Sequence, residues 1–167
     1  LLLRRGEGPQ LDFKRDPYKL TEEEGRADLI KDVLAMANTP REDNSYIVLG
    51  VKAHTDGSKD LVGISEAVDD DTYQSAVKSK VHPCPRFLYV PLIYEGKAFG
   101  VIVIPPERRG PFQATMDVGR KVRRFVIYWR RGSQNDEARA DEQESIRDWC
   151  VGRTREHRTV EVPDDPQ

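Results

Sequence analysis

The sequence predicts an α+β fold: a single domain with a mixed, largely antiparallel sheet that is flanked by two to three helices. Three observations support this prediction. Segments with helical and strand periodicity alternate along the chain, and residues 46–51 form an uninterrupted apolar run of strand length. Two strand-like segments, 86–94 and 97–105, are separated by only Glu95 and Gly96, which is the chemistry of a tight hairpin.

The chain begins with a predicted strand and a well-marked helix. Residues 10–14 alternate polar and apolar side chains, as a short strand does. Thr21 and Glu24 have the spacing of a capping box, which favours a helix start at this point. Apolar side chains recur at helical spacing over residues 30–37, and Pro40 prevents the helix from continuing.

The middle of the chain predicts two strands and a second helix. The run 46–51 is expected to be buried on both faces, because it contains no polar residue. Residues 61–64 are predicted to form a second short strand. Three consecutive acids, 69–71, favour the start of a helix with a weak apolar face over residues 73–77.

The last third predicts three strands and a helix. Pro91 lies within the segment 86–94, which therefore belongs at a sheet edge or a bulge. The apolar centre of the run 120–131 is expected to be a strand with arginines at both ends, and a final helix is expected over residues 141–149. The domain is expected to cover residues 6–150, with a flexible tail or linker over 151–167.

Composition restricts the class of protein. The formal net charge is -2, so the chain is not generally basic. No stretch approaches the roughly 18 apolar residues of a membrane span, so no membrane partner is expected. The two cysteines have no partner motif, which favours a reducing, cytoplasmic location. No phosphate-loop motif occurs, and the three histidines have no metal-ligand spacing.

The basic run 120–131 is the clearest candidate binding segment. It has six of the chain's 27 basic residues, no acid and three aromatic residues. Cations beside aromatic rings suit a nucleic acid, RNA or DNA, whose phosphates and bases they can bind. A charged edge strand that prevents aggregation has a similar pattern. The predicted phosphate contacts are Arg120, Lys121, Arg123, Arg124, Arg130 and Arg131, with Phe125 or Trp129 stacking on bases.

Strand alternation limits how many of these side chains can act together. It would place Val122 and Tyr128 on one face with Arg124, and Phe125 and Trp129 on the other. One face must serve the core, so not all six cations could reach the same ligand.

Five short strings, in this order, resemble the Schlafen AlbA-like domain of bacterial regulators, defence proteins and eukaryotic Schlafens. They are GEGPQLDFK (6–14), AMANT (35–39), YIVLGV (46–51), LVGI (61–64) and YWRRGSQNDEA (128–138). The resemblance covers roughly residues 6–150 and implies a domain that binds nucleic acid.

Some members of that family are metal-dependent ribonucleases, so the resemblance also implies a candidate catalytic site. The matching carboxylates are Glu7 and Asp12, which would hold Mg²⁺ or Mn²⁺, and Lys14 occupies the place of a phosphate contact. Nuclease members have a third acid after the Gly-Val strand, where this chain has Lys52. A lysine there puts positive charge at the metal position.

Three functions therefore remain open. The first is a nucleic-acid-binding module of a larger regulatory or defence protein, with no certain cofactor. The second is a ribonuclease that uses Glu7, Asp12 and a divalent ion. The third is a protein-assembly domain. The resemblance implies pairing of two such units, so a homodimer or a second copy of the domain is the expected protein partner, with 86–94 as an edge contact.

Overall fold

A computed structural model describes residues 2–65 and 68–152, and the part of the predicted tail beyond residue 152 lies outside the described residues. The predicted α+β class is confirmed. A 3₁₀ turn (Leu2–Arg4) precedes the other elements. These are β1 (Leu11–Lys14), α1 (Glu23–Asn38), β2 (Ser45–Leu49), β3 (Val51–Ala53), β4 (Lys59–Leu61), α2 (Asp70–Lys78), β5 (Leu88–Tyr94), β6 (Lys97–Ile104), β7 (Tyr128–Arg131), β8 (Gln134–Glu137) and α3 (Ala140–Cys150).

The main sheet has four strands in the order β1-β2-β6-β5. β1 runs parallel to β2, and the other two pairs are antiparallel. The predicted hairpin joins β5 to β6, and Glu95 and Gly96 both have positive φ, as a two-residue hairpin turn of the favoured twist requires. β5, which contains Pro91, is at the edge of the sheet as expected. β3–β4 and β7–β8 form two separate small sheets.

The larger part of the core lies between this sheet and the helices. It contains the apolar side chains of α1, the inward side chains of β2 and β6, and Tyr73 and Val77 of α2. Asn38, at the end of α1, is buried in this core and bonds to the backbone of Phe112 and Tyr128. These bonds join α1 to β7 and to the loop before it.

The opposite face of the sheet is apolar as well. Phe13, Val48, Phe99 and Val101 are buried there, with Leu2 and Leu3 of the 3₁₀ turn packed against them. Because both faces are covered, β2 needs no polar alternation, which explains its continuous apolar sequence.

Gly50 turns the chain from β2 into β3. Its φ is +95°, and an added Cβ would meet the Phe99 ring and the backbone of Gly63 at about 3 Å. The strand predicted at 46–51 therefore ends at Leu49. The strand predicted at 61–64 lies slightly earlier, as β4, because the following residues bond to Gly50 and Ala98 instead.

The capping box predicted for α1 is wrong. Glu22 is the N-cap residue, and no side chain caps the helix. Glu24 instead accepts hydrogen bonds from the backbone N–H and the Nε of Arg120, at 2.9 and 3.3 Å. The structure thus uses this carboxylate to hold a distant loop.

The strand predicted for the basic run is also largely wrong, because only Tyr128–Arg131 is a strand. Residues 119–125, hereafter the basic loop, fold over the N-terminal half of α1. Val118 and Val122 pair with each other and are buried, and Phe125 has a φ of +62°, which no strand residue adopts. The predicted alternation of faces fails for the same reason. None of the described helices is long and apolar enough to cross a membrane.

Candidate functional site

Two of the sequence-predicted sites meet in one buried network. Arg130, on β7, is 2% exposed, and its guanidinium donates to Oδ1 of Asp12 on β1 at 2.9 Å. The same guanidinium donates to the carbonyl oxygens of Gly8 and Leu11 and to the side chain of Asn135. Arg130 therefore joins β1 to β7 and cannot reach a ligand on the surface.

Lys14 completes the network from the solvent side. Its Nζ lies 3.0 Å from Oδ2 of Asp12 and 2.9 Å from Oδ2 of Asp32, a buried carboxylate of α1. Burial opposes the charge of Lys14, but the two carboxylates outweigh it and raise the pKa of the amine above its usual value. Lys14 is therefore a charged bridge between β1 and α1.

Asp32 was missed in the sequence, although its carboxylate has three side-chain partners. Besides Lys14, it accepts hydrogen bonds from the Tyr18 hydroxyl at 2.6 Å and from Nδ2 of Asn135 at 2.5 Å. The pKa of Tyr18 is raised well above its ordinary value. Burial of the hydroxyl is the largest cause, and the negative charge of Asp32 is the second. The helical spacing could have indicated this burial. Asp32 lies three or four residues from apolar side chains of α1 on either side, so it belongs to the buried face of the helix.

The predicted metal ligands do not form a divalent-ion site in this arrangement. Oδ1 of Asp12 is bound by Arg130 and Oδ2 lies against Lys14, so a metal would have to displace two cations. Glu7 is exposed, and its Oε1 accepts the backbone N–H of Phe13 at 3.1 Å. Lys52 is exposed on β3, where an acid would be needed.

The donor set therefore does not fit Mg²⁺ or Mn²⁺, which need several free carboxylate or carbonyl oxygens. Within residues 2–65 and 68–152, no three His, Cys, Asp or Glu side chains come together as a metal site. The two acids that follow Lys52 in the chain do not supply the third ligand: Asp56 bonds to Ser58 within its own loop, and Asp60 bonds to His54.

Most of the surface cations predicted to contact phosphate lie in the basic loop and have acidic partners. Arg120 pairs with Glu24, and Nζ of Lys121 lies 2.5 Å from Asp28, so α1 holds both residues. Arg123 pairs with Glu137 of β8, which raises the pKa of the guanidinium.

Arg131 is outside the basic loop and has a structural contact. Its guanidinium donates two hydrogen bonds to Glu142 of α3, at 2.9 and 2.7 Å, which form a bidentate pair. Trp129 is half-buried against Ile127, Ala138 and Ile146. Neither residue offers the free surface that the sequence analysis expected.

The tip of the basic loop is different. Arg124 is exposed and, among the residues that the structure describes, its guanidinium has no carboxylate partner. It lies 5.6 Å from the centre of the Phe125 ring, which is itself 61% exposed. The tip thus presents a cation that has no carboxylate partner within residues 2–65 and 68–152, stacked over an exposed aromatic ring.

A solved structure supports the fold. The DIP2311 protein from Corynebacterium diphtheriae is 20% identical to this chain, with a TM-score of 0.57. That match covers 87% of this chain but 26% of the other, so the chain spans about a quarter of that protein's length. The N-terminal domain of an ATP-dependent DNA helicase RecG-related protein from Nitrosomonas europaea is 22% identical, with a TM-score of 0.49, and the match covers 74% and 86% of the two chains.

The family is shown by sequence. A comparison with curated proteins found no match. The sequence model of the family described as Schlafen, AlbA_2 matches residues 7–139, which is most of the chain and includes both the buried network and the basic loop. The resemblance noted in the sequence is therefore confirmed, and the chain belongs to the Schlafen AlbA_2 family.

Proposed function

We propose that this domain binds nucleic acid, RNA or DNA, and that phosphates bind at the basic loop. The proposal rests mainly on the loop tip, where the guanidinium of Arg124 has no carboxylate partner among the described residues and lies over the exposed ring of Phe125. Phosphate contacts from arginine and base contacts from aromatic rings are the usual combination in such sites. The resemblance to Schlafen AlbA-like domains implies the same class of partner.

The paired cations of the loop can contribute too. Arg120, Lys121 and Arg123 are largely exposed, so water and salt screen their ion pairs with Glu24, Asp28 and Glu137. Phosphate groups can therefore replace those carboxylates with little loss of stability. Arg130 and Arg131 are left out of the proposed interface, because both hold the fold together.

Salt dependence tests this proposal. Four cations that each neutralise one phosphate predict a log-log slope of about 3, on the order of 0.7–0.9 per contact. The measurement is fluorescence anisotropy with a labelled oligonucleotide across a salt series. Arg124→Ala is expected to weaken binding most and to reduce the slope by about one.

A matched control is available on α3. Arg147 is exposed and lies outside the basic loop, so Arg147→Ala is expected to leave affinity and slope unchanged. Equal losses in both variants, or binding that does not change between low and physiological salt, contradict the proposal.

The ribonuclease alternative is tested with the same protein. End-labelled structured RNA is incubated with and without Mn²⁺ and divided between a native and a denaturing gel. A shifted but intact band is expected, because Arg130 and Lys14 hold both oxygens of Asp12. Discrete cleavage that is lost in both Glu7→Ala and Asp12→Ala would instead establish an enzyme.

We also infer that a second copy of the domain is a partner, and that it contacts β5. This edge strand has no charged side chain, whereas isolated edges are usually protected by charges. Leu88, Val90, Leu92 and Tyr94 are exposed along it, beside an apolar cavity of about 150 Å³. Two such strands can meet about a two-fold axis without repulsion between like charges.

A further inference from the structure

We propose that Phe125 is a stacking platform for an unpaired base, so that the domain prefers single-stranded nucleic acid to a duplex. This inference rests on the proposed function and adds the class of ligand. Phe125 is the most exposed aromatic side chain among the residues that the structure describes. A ligand that covers an apolar ring of that size removes apolar surface from water, which favours binding.

The backbone of Phe125 indicates that the exposure is built into the loop. A φ of +62° is rare for a bulky residue and costs free energy, so the surrounding structure must enforce it. The N–H of Phe125 donates to the carbonyl of Ala114 at 2.8 Å, and its own carbonyl accepts a hydrogen bond from Gln113 at 2.6 Å. The N–H of Arg124 is held by Asp117 at 2.8 Å.

These bonds pre-organise the loop tip for binding. Both polar groups of the Phe125 backbone are satisfied, so the turn does not depend on burial of the ring. The ring is therefore presented outward in a defined conformation, and little conformational entropy is lost when a ligand covers it.

The chemistry of the tip selects an unpaired base. The Arg124 guanidinium lies over one face of the ring and can bind the phosphate of the same nucleotide, while the base stacks on the opposite face of Phe125. In a duplex the faces of the bases are covered by their neighbours, so the ring has no face to stack on. Stacking is tolerant of base identity, because every base has a π-face.

The test compares three probes that carry the same number of phosphates. They are a single-stranded thymidine oligonucleotide of about 12 nucleotides, an abasic strand of the same length, and a duplex. The wild-type domain is expected to bind the single strand about 10-fold more tightly than the abasic strand, within the range for one stacked base. If the duplex binds as tightly as the single strand, or more tightly, the inference is wrong.

Two variants of Phe125 make the test specific. Phe125→Gly removes the ring and suits the positive φ, so the variant is expected to fold and to bind the single strand only as well as the abasic strand. Phe125→Trp keeps a ring and is expected to retain the preference. Arg124→Ala is expected to weaken binding of all three probes.

The outcomes separate the two proposals. If the wild type binds all three probes equally well, or if Phe125→Gly keeps the preference, the stacking inference is wrong and nucleic-acid binding stands. If none of the probes is bound at all, both proposals fail. An aromatic anchor for a protein partner would then be the remaining use of the exposed ring.

Discussion

Arg130 shows how one side chain can be misjudged from its sequence context. It belongs to a run of cations, yet it is almost completely buried and makes four hydrogen bonds, including the ion pair with Asp12. A buried guanidinium is tolerated only where carbonyl and carboxylate oxygens satisfy it, as they do here. Its role is therefore to join β1 to β7, and the same bond removes Asp12 from the set of free carboxylates.

Loss of this guanidinium is expected to destabilise the domain strongly. Arg130→Met preserves much of the volume but leaves Asp12 buried with one cation fewer, so we expect a loss of about 3–5 kcal/mol in the free energy of unfolding. The free energy of unfolding is measured by urea denaturation. The control is Arg124→Met at the exposed loop tip, with an expected change within about 0.5 kcal/mol. An unchanged urea midpoint for Arg130→Met would show that the buried pair contributes nothing.

The helix α3 is held by one buried side chain and by an ion pair in its first turn. Ile146 is its only fully buried side chain among the described residues, and Glu142 in its first turn binds Arg131 and the backbone N–H of Arg139. The hydrogen bond from Arg131 is the main cause that lowers the pKa of Glu142 from its ordinary 4.5. Glu142 thus connects α3 to β7.

This depressed pKa predicts how stability depends on pH. A carboxylate whose pKa is lower in the folded state stabilises the domain above its unfolded pKa, and that contribution is lost as pH falls through the folded pKa. Glu142→Gln is therefore expected to lower the melting temperature at neutral pH. It is also expected to reduce the fall in melting temperature between about pH 5 and about pH 3.

The matched control for this prediction is Glu23→Gln, an exposed glutamate in the first turn of α1. The melting temperatures of the wild type and of both variants are measured by thermal unfolding over the same pH range. If the melting temperature of Glu142→Gln falls as steeply in acid as that of the wild type, the contact with Arg131 does not carry the pH dependence.

Charge and apolar surface are distributed unevenly over the domain. The basic loop lies over α1, whereas the uncharged strand β5 forms the far edge of the main sheet. The two proposed contacts, with nucleic acid and with a second copy, thus use different elements. A dimer would present two basic loops to one nucleic acid, which increases avidity without any new contact.

The proposed dimer can be disrupted by one charge. Leu92→Lys places an ammonium group on the apolar face of β5, so the wild type is expected to sediment as a dimer and the variant as a monomer. Met116→Lys, at a similarly exposed apolar position outside β5, serves as the control and is expected to remain dimeric. A wild-type domain that stays strictly monomeric at high concentration contradicts this partner.

Local patterns were enough to predict most of the regular elements and to suggest the family. The continuous apolar run of β2, the Glu95-Gly96 hairpin, the edge position of the Pro91 strand and the last helix were all predicted, because each depends on neighbouring residues. The five strings that suggested the family match the region that the family model covers. These features need no knowledge of distant contacts.

Contacts between distant residues determined the rest. Asp12 and Arg130 are 118 residues apart, and Glu24 and Arg120 are 96 apart, so no local pattern could pair them. Those pairs decide that Asp12 is a structural carboxylate, that Glu24 does not cap its helix, and that most cations of the run are neutralised. Every other cation of the run has an acidic partner in the described part of the chain, and only the fold shows that Arg124 has none there and that the Phe125 ring is exposed.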